Sequence, residues 1–249
     1  TAVAMAKALH AKVCEIFTDV EGVFTADPRI VPTARKLPTI SYDEMLEMAS
    51  LGAQVMQARS IFVAKRFGIA IHVRSSFSSR EGTMITQPAK AMEEMVVSGV
   101  TLQKDEAKVT IRDVPDKPGM AAQIFHELAG KDINVDMIVQ NVSREGATDV
   151  SFTVPKSDLA STLRVARASA HHIGAGEVTT DEGIAKISLV GIGMRSHSGV
   201  ASRMFDSMAK ERINIEMIST SEIKISCIIR KAHAARAGRA IHRAFGLST

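Results

Sequence analysis

The sequence predicts a mixed fold class: an α/β segment of the doubly wound type, followed by an α+β region of two ferredoxin-like βαββαβ modules. Three observations predict it. The first is an internal repeat, because Ile133-Asn134-Val135-Asp136-Met137-Ile138 returns 80 residues later as Ile213-Asn214-Ile215-Glu216-Met217-Ile218. Pro118-Gly119 answers to Ser198-Gly199, and Phe125 to Phe205, at the same offset. The second is that the flanking strands match too, 108–111 with 186–189 and 150–154 with 225–229, at offsets of 78 and 75 that small loop changes explain. A duplicated unit is read before any local motif, since each copy is one supersecondary element. The third is a helix feeding a strand at the start of the chain, which is half of a doubly wound unit.

Residues 1–10 have the Ala-rich composition of a helix and lead into 11–17, a short apolar strand of the buried parallel type. Beyond it, Thr18-Asp19-Val20-Glu21-Gly22-Val23-Phe24-Thr25-Ala26-Asp27-Pro28-Arg29 is rich in turn formers and polar side chains. Open α/β sheets collect ligands at this place, past the carboxyl end of a strand. Thr18, Asp19, Asp27 and Arg29 bring hydroxyl, carboxylate and guanidinium groups suited to nucleotide hydroxyls and phosphates; the same residues also suit a plain connection.

Ser41 with Glu44 makes a capping box opening a long helix through Met45, Met48, Leu51, Val55 and Met56, whose methionines read as core packing. Residues 69–74 return as a strand, with His72 an alternating polar position. Ser, Arg and Gly at 75–82 mark an exposed loop, and a domain boundary is placed just past it, near 86–91. The expected division is 1–86 for the first domain, 92–107 for a strand leading onward, 108–175 for the first module and 176–249 for the second. In the first repeat the pattern predicts strand 109–113, helix 119–129, strands 134–140 and 148–154, and helix 156–168.

Composition narrows the function. A hydrophobic content of 45% with 23% charged residues is that of a globular protein, and 249 residues suffice for real cores. A net charge of +4 is scattered among carboxylates instead of forming a stripe, and aromatics make up 4% with no Trp, which leaves few stacking platforms, so nucleic-acid binding is a weak expectation. No apolar run approaches the roughly 18 residues of a spanning helix. Cys14 and Cys227 read as buried reduced thiols, which suits a cytoplasmic protein. There is no GxGxxG, no Walker loop and no nucleophile beside a base, and His171-His172 has no further ligand at metal spacing. No catalytic residue and no metal site is assigned.

Each repeat has a turn entering a helix, Asp116-Lys117-Pro118-Gly119-Met120-Ala121 and Ser196-His197-Ser198-Gly199-Val200-Ala201. Free N–H groups there favour a carboxylate, and Gly lets the backbone come close. Asp116, Asp136 and Glu216 can pair with an ammonium, while Asn134, Asn214 and Gln140 donate and accept. That set describes an amino-acid ligand. The plainer reading, which motif chemistry alone favours, is that Asp116 and Ser196 merely start helices and the asparagines sit in turns.

Residues 18–29 closely resemble the nucleotide loop of the aspartate kinases, within the amino-acid kinase family. The similarity continues through Glu44-Met45-Leu46-Glu47, Val73-Arg74-Ser75-Ser76, Asp116-Lys117-Pro118-Gly119, residues 133–143, Ser188-Leu189-Val190-Gly191 and Ile218-Ser219-Thr220-Ser221-Glu222-Ile223, and so covers essentially the whole chain. The resemblance implies that the first domain is the C-terminal part of an amino-acid kinase domain and that the repeats are ACT domains. It implies transfer of a phosphoryl group from ATP, with Mg2+, to the side-chain carboxylate of L-aspartate, giving 4-phospho-L-aspartate.

Thr18, Asp19, Phe24, Thr25, Ala26, Asp27, Pro28 and Arg29 are then expected at the nucleotide. Gln54 stands where the family commonly carries a lysine and supplies no positive charge to phosphates. L-Lysine and/or L-threonine is expected as effector at Asp116, Ala121, Asn134, Val135, Asp136 and Gln140, and at Val200, Ala201, Asn214, Ile215 and Ser221. The strand near 96–100 is expected to complete the second module, making the first an insertion. The family's phosphate loop and most of its aspartate site do not appear, so the chain is expected to be inactive alone. It is read as a piece of a longer kinase, a homodimer through its ACT modules; the rival is an amino-acid-sensing regulatory subunit assembled with a full-length kinase chain.

Overall fold

The computed structural model describes residues 1–249 except Gln54, 89–94, 142–145 and Thr249. It divides into two compact units: Thr1–Gln103 together with Lys186–Thr249, and Lys104–Ala185.

The first unit opens with α1 (Ala2–Ala8), β1 (Val13–Thr18), β2 (Thr39–Ser41), α2 (Tyr42–Ser50), α3 (Ala58–Phe67), β3 (Ala70–Ser75) and β4 (Thr83–Thr86). The strands form a mixed sheet in the order β1-β3-β4-β2, β1 running parallel to β3 and β4 antiparallel to it. Two expectations are corrected here. Among the described residues β1 ends the sheet with Val13 and Phe17 exposed, so it keeps the expected parallel pairing but its burial alternates. The long helix stops at Ser50, because Gly52 takes a φ of +94° and the Ala53 N–H turns back to the Met48 carbonyl at 2.9 Å. A new helix, α3, follows and ends on the left-handed Gly68, an element outside those the sequence pattern predicts.

The capping box forms in full, the Ser41 hydroxyl taking the Glu44 N–H and the Glu44 carboxylate taking the Ser41 N–H. The next strand, β5 (Gly99–Gln103), pairs antiparallel with β10 (Ile184–Val190) of the second repeat.

The second unit holds β6 (Glu106–Pro115), α4 (Met120–Ala129), β7 (Ile138–Gln140), β8 (Ala147–Pro155), α5 (Leu159–Ile173) and β9 (Val178–Asp181). Its sheet runs β7-β8-β6-β9, with Val109 opposite Phe152 and a bulge between Ile111 and Val114. The fourth strand, β9, lies past residue 175, where the sequence reading closes this module. Val109, Ile111, Ile124, Leu128 and Phe152 fill the core, and Phe125 meets Phe152 edge-on at 5.6 Å.

After β10 come α6 (Val200–Lys210), β11 (Met217–Thr220), β12 (Lys224–Arg230) and α7 (Ala234–Ala244), and the sheet order is β11-β12-β10-β5. Leu189, Met204, Cys227 and Ile241 form its core with Val100, and Ala26 and Val31 of the loop after β1 enter the same cluster. The loop therefore rests on the second repeat. Among the described residues no helix is long and apolar enough to cross a membrane.

Candidate functional site

The loop after β1 is pinned from several sides. The Thr25 N–H donates to the Arg35 carbonyl, the Leu37 N–H to that of Val23, and the Val100 N–H of β5 to that of Thr25 at 2.7 Å. Gly22, at φ +146°, is needed because a Cβ there would come within 2.5 Å of the Thr83 hydroxyl. Ile30 and Val31 both donate to the Asp27 carbonyl, turning the loop's end into one tight bend.

This loop walls a cavity of about 580 Å³. Thr18, Asp19, Phe24, Ala26, Asp27, Pro28 and Arg29 line it, as do Val20, Glu21, Gly22, Val23, Ile30 and Val31 between and beyond them. Thr25 turns away: fully buried, its hydroxyl donates to the Leu247 carbonyl and meets His242 Nε2 at 2.9 Å. Burial, with Arg35 adding to it, lowers the His242 pKa and so favours the neutral ring. The remaining wall comes from Met48, Gly52, Ala53 and Val55, from Val100, Thr101 and Leu102 of β5, and from Gly238 of α7. Sequence reasoning missed these; only Met48 and Val55 had a signal, the apolar stripe. Gln54 lies outside the described residues.

Arg29 donates twice to Asp27, through Nε at 3.0 Å and a terminal nitrogen at 2.8 Å, which raises the guanidinium pKa. Its side chain is 84% exposed, so the pair orients the loop rather than stabilising the fold.

A second cavity, about 450 Å³, opens at the α6 N-terminus and is lined by Met194, Arg195, His197, Gly199, Val200, Ala201, Thr220, Ser221, Glu222 and Ile225. Gly199 caps α6 at φ +85°. Val200, Ala201 and Ser221 thus come together here, but Asn214 and Ile215 do not line this cavity. Its carboxylate is Glu222, 3.1 Å from Arg195; Glu216, the expected one, is bonded to Arg230 at 3.2 Å instead. The first-repeat residues line neither cavity: Asp116, Asn134, Asp136 and Gln140 are exposed, Ala121 and Val135 half-buried, and the Asp136 N–H is spent on the Thr153 carbonyl.

The sequence pattern of the amino acid kinase family matches residues 1–75, and that of the ACT domain matches 112–169 and 187–245. The aspartokinase of Pseudomonas aeruginosa is 50% identical over 99% of this chain, which spans about 60% of that relative's length. The regulatory subunit of aspartate kinase from Thermus thermophilus is 41% identical with a TM-score of 0.58, over 60% of this chain and 99% of its own. The chain belongs to the aspartate kinase family. Aspartokinase III of E. coli, 27% identical, shares the fold over 98% of this chain and 54% of its own, with a TM-score of 0.82 in complex with aspartate and ADP and 0.77 in complex with lysine and aspartate. The family match to residues 1–75 includes the whole loop that walls the first cavity.

Proposed function

We propose that this chain is the nucleotide-side and regulatory part of an aspartate kinase, in which ATP with Mg2+ phosphorylates the side-chain carboxylate of L-aspartate to 4-phospho-L-aspartate in the cytoplasm. The observation that carries it is the cavity wall made by residues 18–24 and 26–31 of a chain whose relatives are aspartokinases. Val23, Phe24, Val31, Met48, Val55 and Leu102 suit a purine ring, and Thr18 and Asp19 suit ribose hydroxyls. Among the described lining residues Arg29 is the one cation, set among Asp19, Glu21 and Asp27 and already paired with Asp27. These side chains fit the nucleoside end of ATP and leave the phosphates' charge to Mg2+ and to groups outside this wall. Phosphoryl transfer depends on positioning and charge stabilisation, so the chain alone binds nucleotide and transfers nothing.

L-Lysine and/or L-threonine is the effector, its carboxylate at the α6 N-terminus and its ammonium at Glu222 in the second cavity. The lysine complex of the E. coli relative supports an amino acid of this kind. Calorimetry with ADP tests the nucleotide half. Saturable binding is expected, weakened at least about tenfold (about 1.4 kcal/mol) by Leu102→Glu; a folded chain that binds no ADP overturns the proposal, and aspartyl phosphate formed by the pure chain overturns its inactivity. The T. thermophilus match favours one further reading, a regulatory subunit paired with a longer kinase chain, which stable co-purification with such a chain would establish.

A further inference from the structure

Glu44 is 1% exposed, and its two carboxylate oxygens serve different parts of the first unit. Oε2 closes the capping box, accepting from the Ser41 N–H at 3.1 Å and from the Ser41 hydroxyl at 2.6 Å. Helix capping asks nothing more of the glutamate. Oε1 nevertheless accepts from the Ser98 hydroxyl and, at 3.0 Å, from the Ile192 N–H.

Those two donors lead to the two cavities. Ser98 immediately precedes β5, whose Val100, Thr101 and Leu102 line the nucleotide cavity. Ile192 opens the 3-10 turn Ile192–Ser196, whose Met194 and Arg195 line the second cavity. The turn lies tight against the segment before β5, since a Cβ on Gly191 would come within 2.3 Å of the Val96 carbonyl oxygen. Lys224 of β12 adds a second tie to α2, an ion pair with Glu47 at 2.9 Å.

We propose that Glu44 is a positioning residue that makes the geometry of the second cavity depend on that of the nucleotide cavity. The inference rests on the nucleotide reading of the first cavity. A buried carboxylate is costly unless its oxygens stay bonded. Drawing the turn or the segment before β5 away from Oε1 strips a donor from a buried carboxylate, so the two donors and α2 shift as a set. A ligand that shifts one cavity wall thereby biases the other.

Hydrogen exchange on the wild-type chain and on Glu44→Gln, with and without ADP, tests this at residues 18–31 and 192–198. Gln keeps the size but exchanges one acceptor for a donor. ADP is expected to protect 18–31 in both proteins and to slow exchange at 192–198 by roughly fivefold or more in the wild type only. Ser98→Ala leaves the capping box whole and guards against a folding artefact; it is expected to show an intermediate response at 192–198. Equal protection of 192–198 in Glu44→Gln, or none in the wild type while 18–31 is protected, overturns the proposal. A folded wild type unprotected at 18–31 defeats the nucleotide reading itself, and this inference with it.

Discussion

The two repeats share a sequence pattern and differ in what surrounds it. In the first, β6 leaves Arg112 and Asp113 exposed, and the core of Val109, Ile111 and Phe152 consists of residues 107–178. In the second, β10 is buried at all seven positions, and its Val190 joins Ile40, Met45 and Met48 in the core of the preceding sheet. The loop after β1 follows the same division, since its Ala26 and Val31 lie in the core of the second repeat. The same turn pattern occurs in both repeats, and the second copy shares a core with the loop that walls the first cavity.

The largest test of this contrast is a pair of core truncations. Phe152→Ala is expected to cost about 3–5 kcal/mol and Met204→Ala about 2–5 kcal/mol, as buried truncations do. Phe152→Ala should lower the melting of the second unit and leave ADP affinity as it was, whereas Met204→Ala should weaken ADP binding as well, because Met204 packs in the cluster holding Ala26 and Val31. Equal effects on ADP would break the comparison.

Next is pH. His242 is buried with a lowered pKa, so the unfolded chain takes up a proton below about 6.5 that the folded chain refuses. Its contribution is present above that value and falls as pH drops toward the lowered folded value, by at most about 1.4 kcal/mol per pH unit. Melting curves between pH 7 and 5 should show this loss in the wild type and a flatter profile in His242→Gln; parallel profiles would remove the Thr25–His242 contact from the account.

Ser41→Ala is smaller, about 1 kcal/mol from the lost cap, read by denaturant titration. Smallest is Arg243→Ala, which breaks a 3.2 Å pair with Glu211 at a 67% exposed side chain; a change of less than about 1 kcal/mol, shrinking further in salt, is expected.

The repeat, the capping box and the loop after β1 were legible because each is a local or periodic pattern. What stayed hidden depends on distant partners. Nothing in Thr25 marks it as facing inward, because His242 and Leu247 lie more than 200 residues away. Val100, Thr101, Leu102 and Gly238 carry no local sign of walling a cavity. Glu44 read as half of a capping box, and its second oxygen became visible only with Ser98 and Ile192 in place. The stop of α2 is a different case: Leu51-Gly52 was available as a signal, and the apolar stripe through Val55 and Met56 outweighed it.

The most direct measurement is a calorimetric titration of the chain with L-lysine and with L-threonine, separately and together, beside Glu222→Ala. Saturable binding that Glu222→Ala removes is the predicted result, and it would place the effector in the second repeat, on the core it shares with the loop after β1. A folded chain giving no saturable heat with either amino acid, or binding undiminished in Glu222→Ala, would contradict the account.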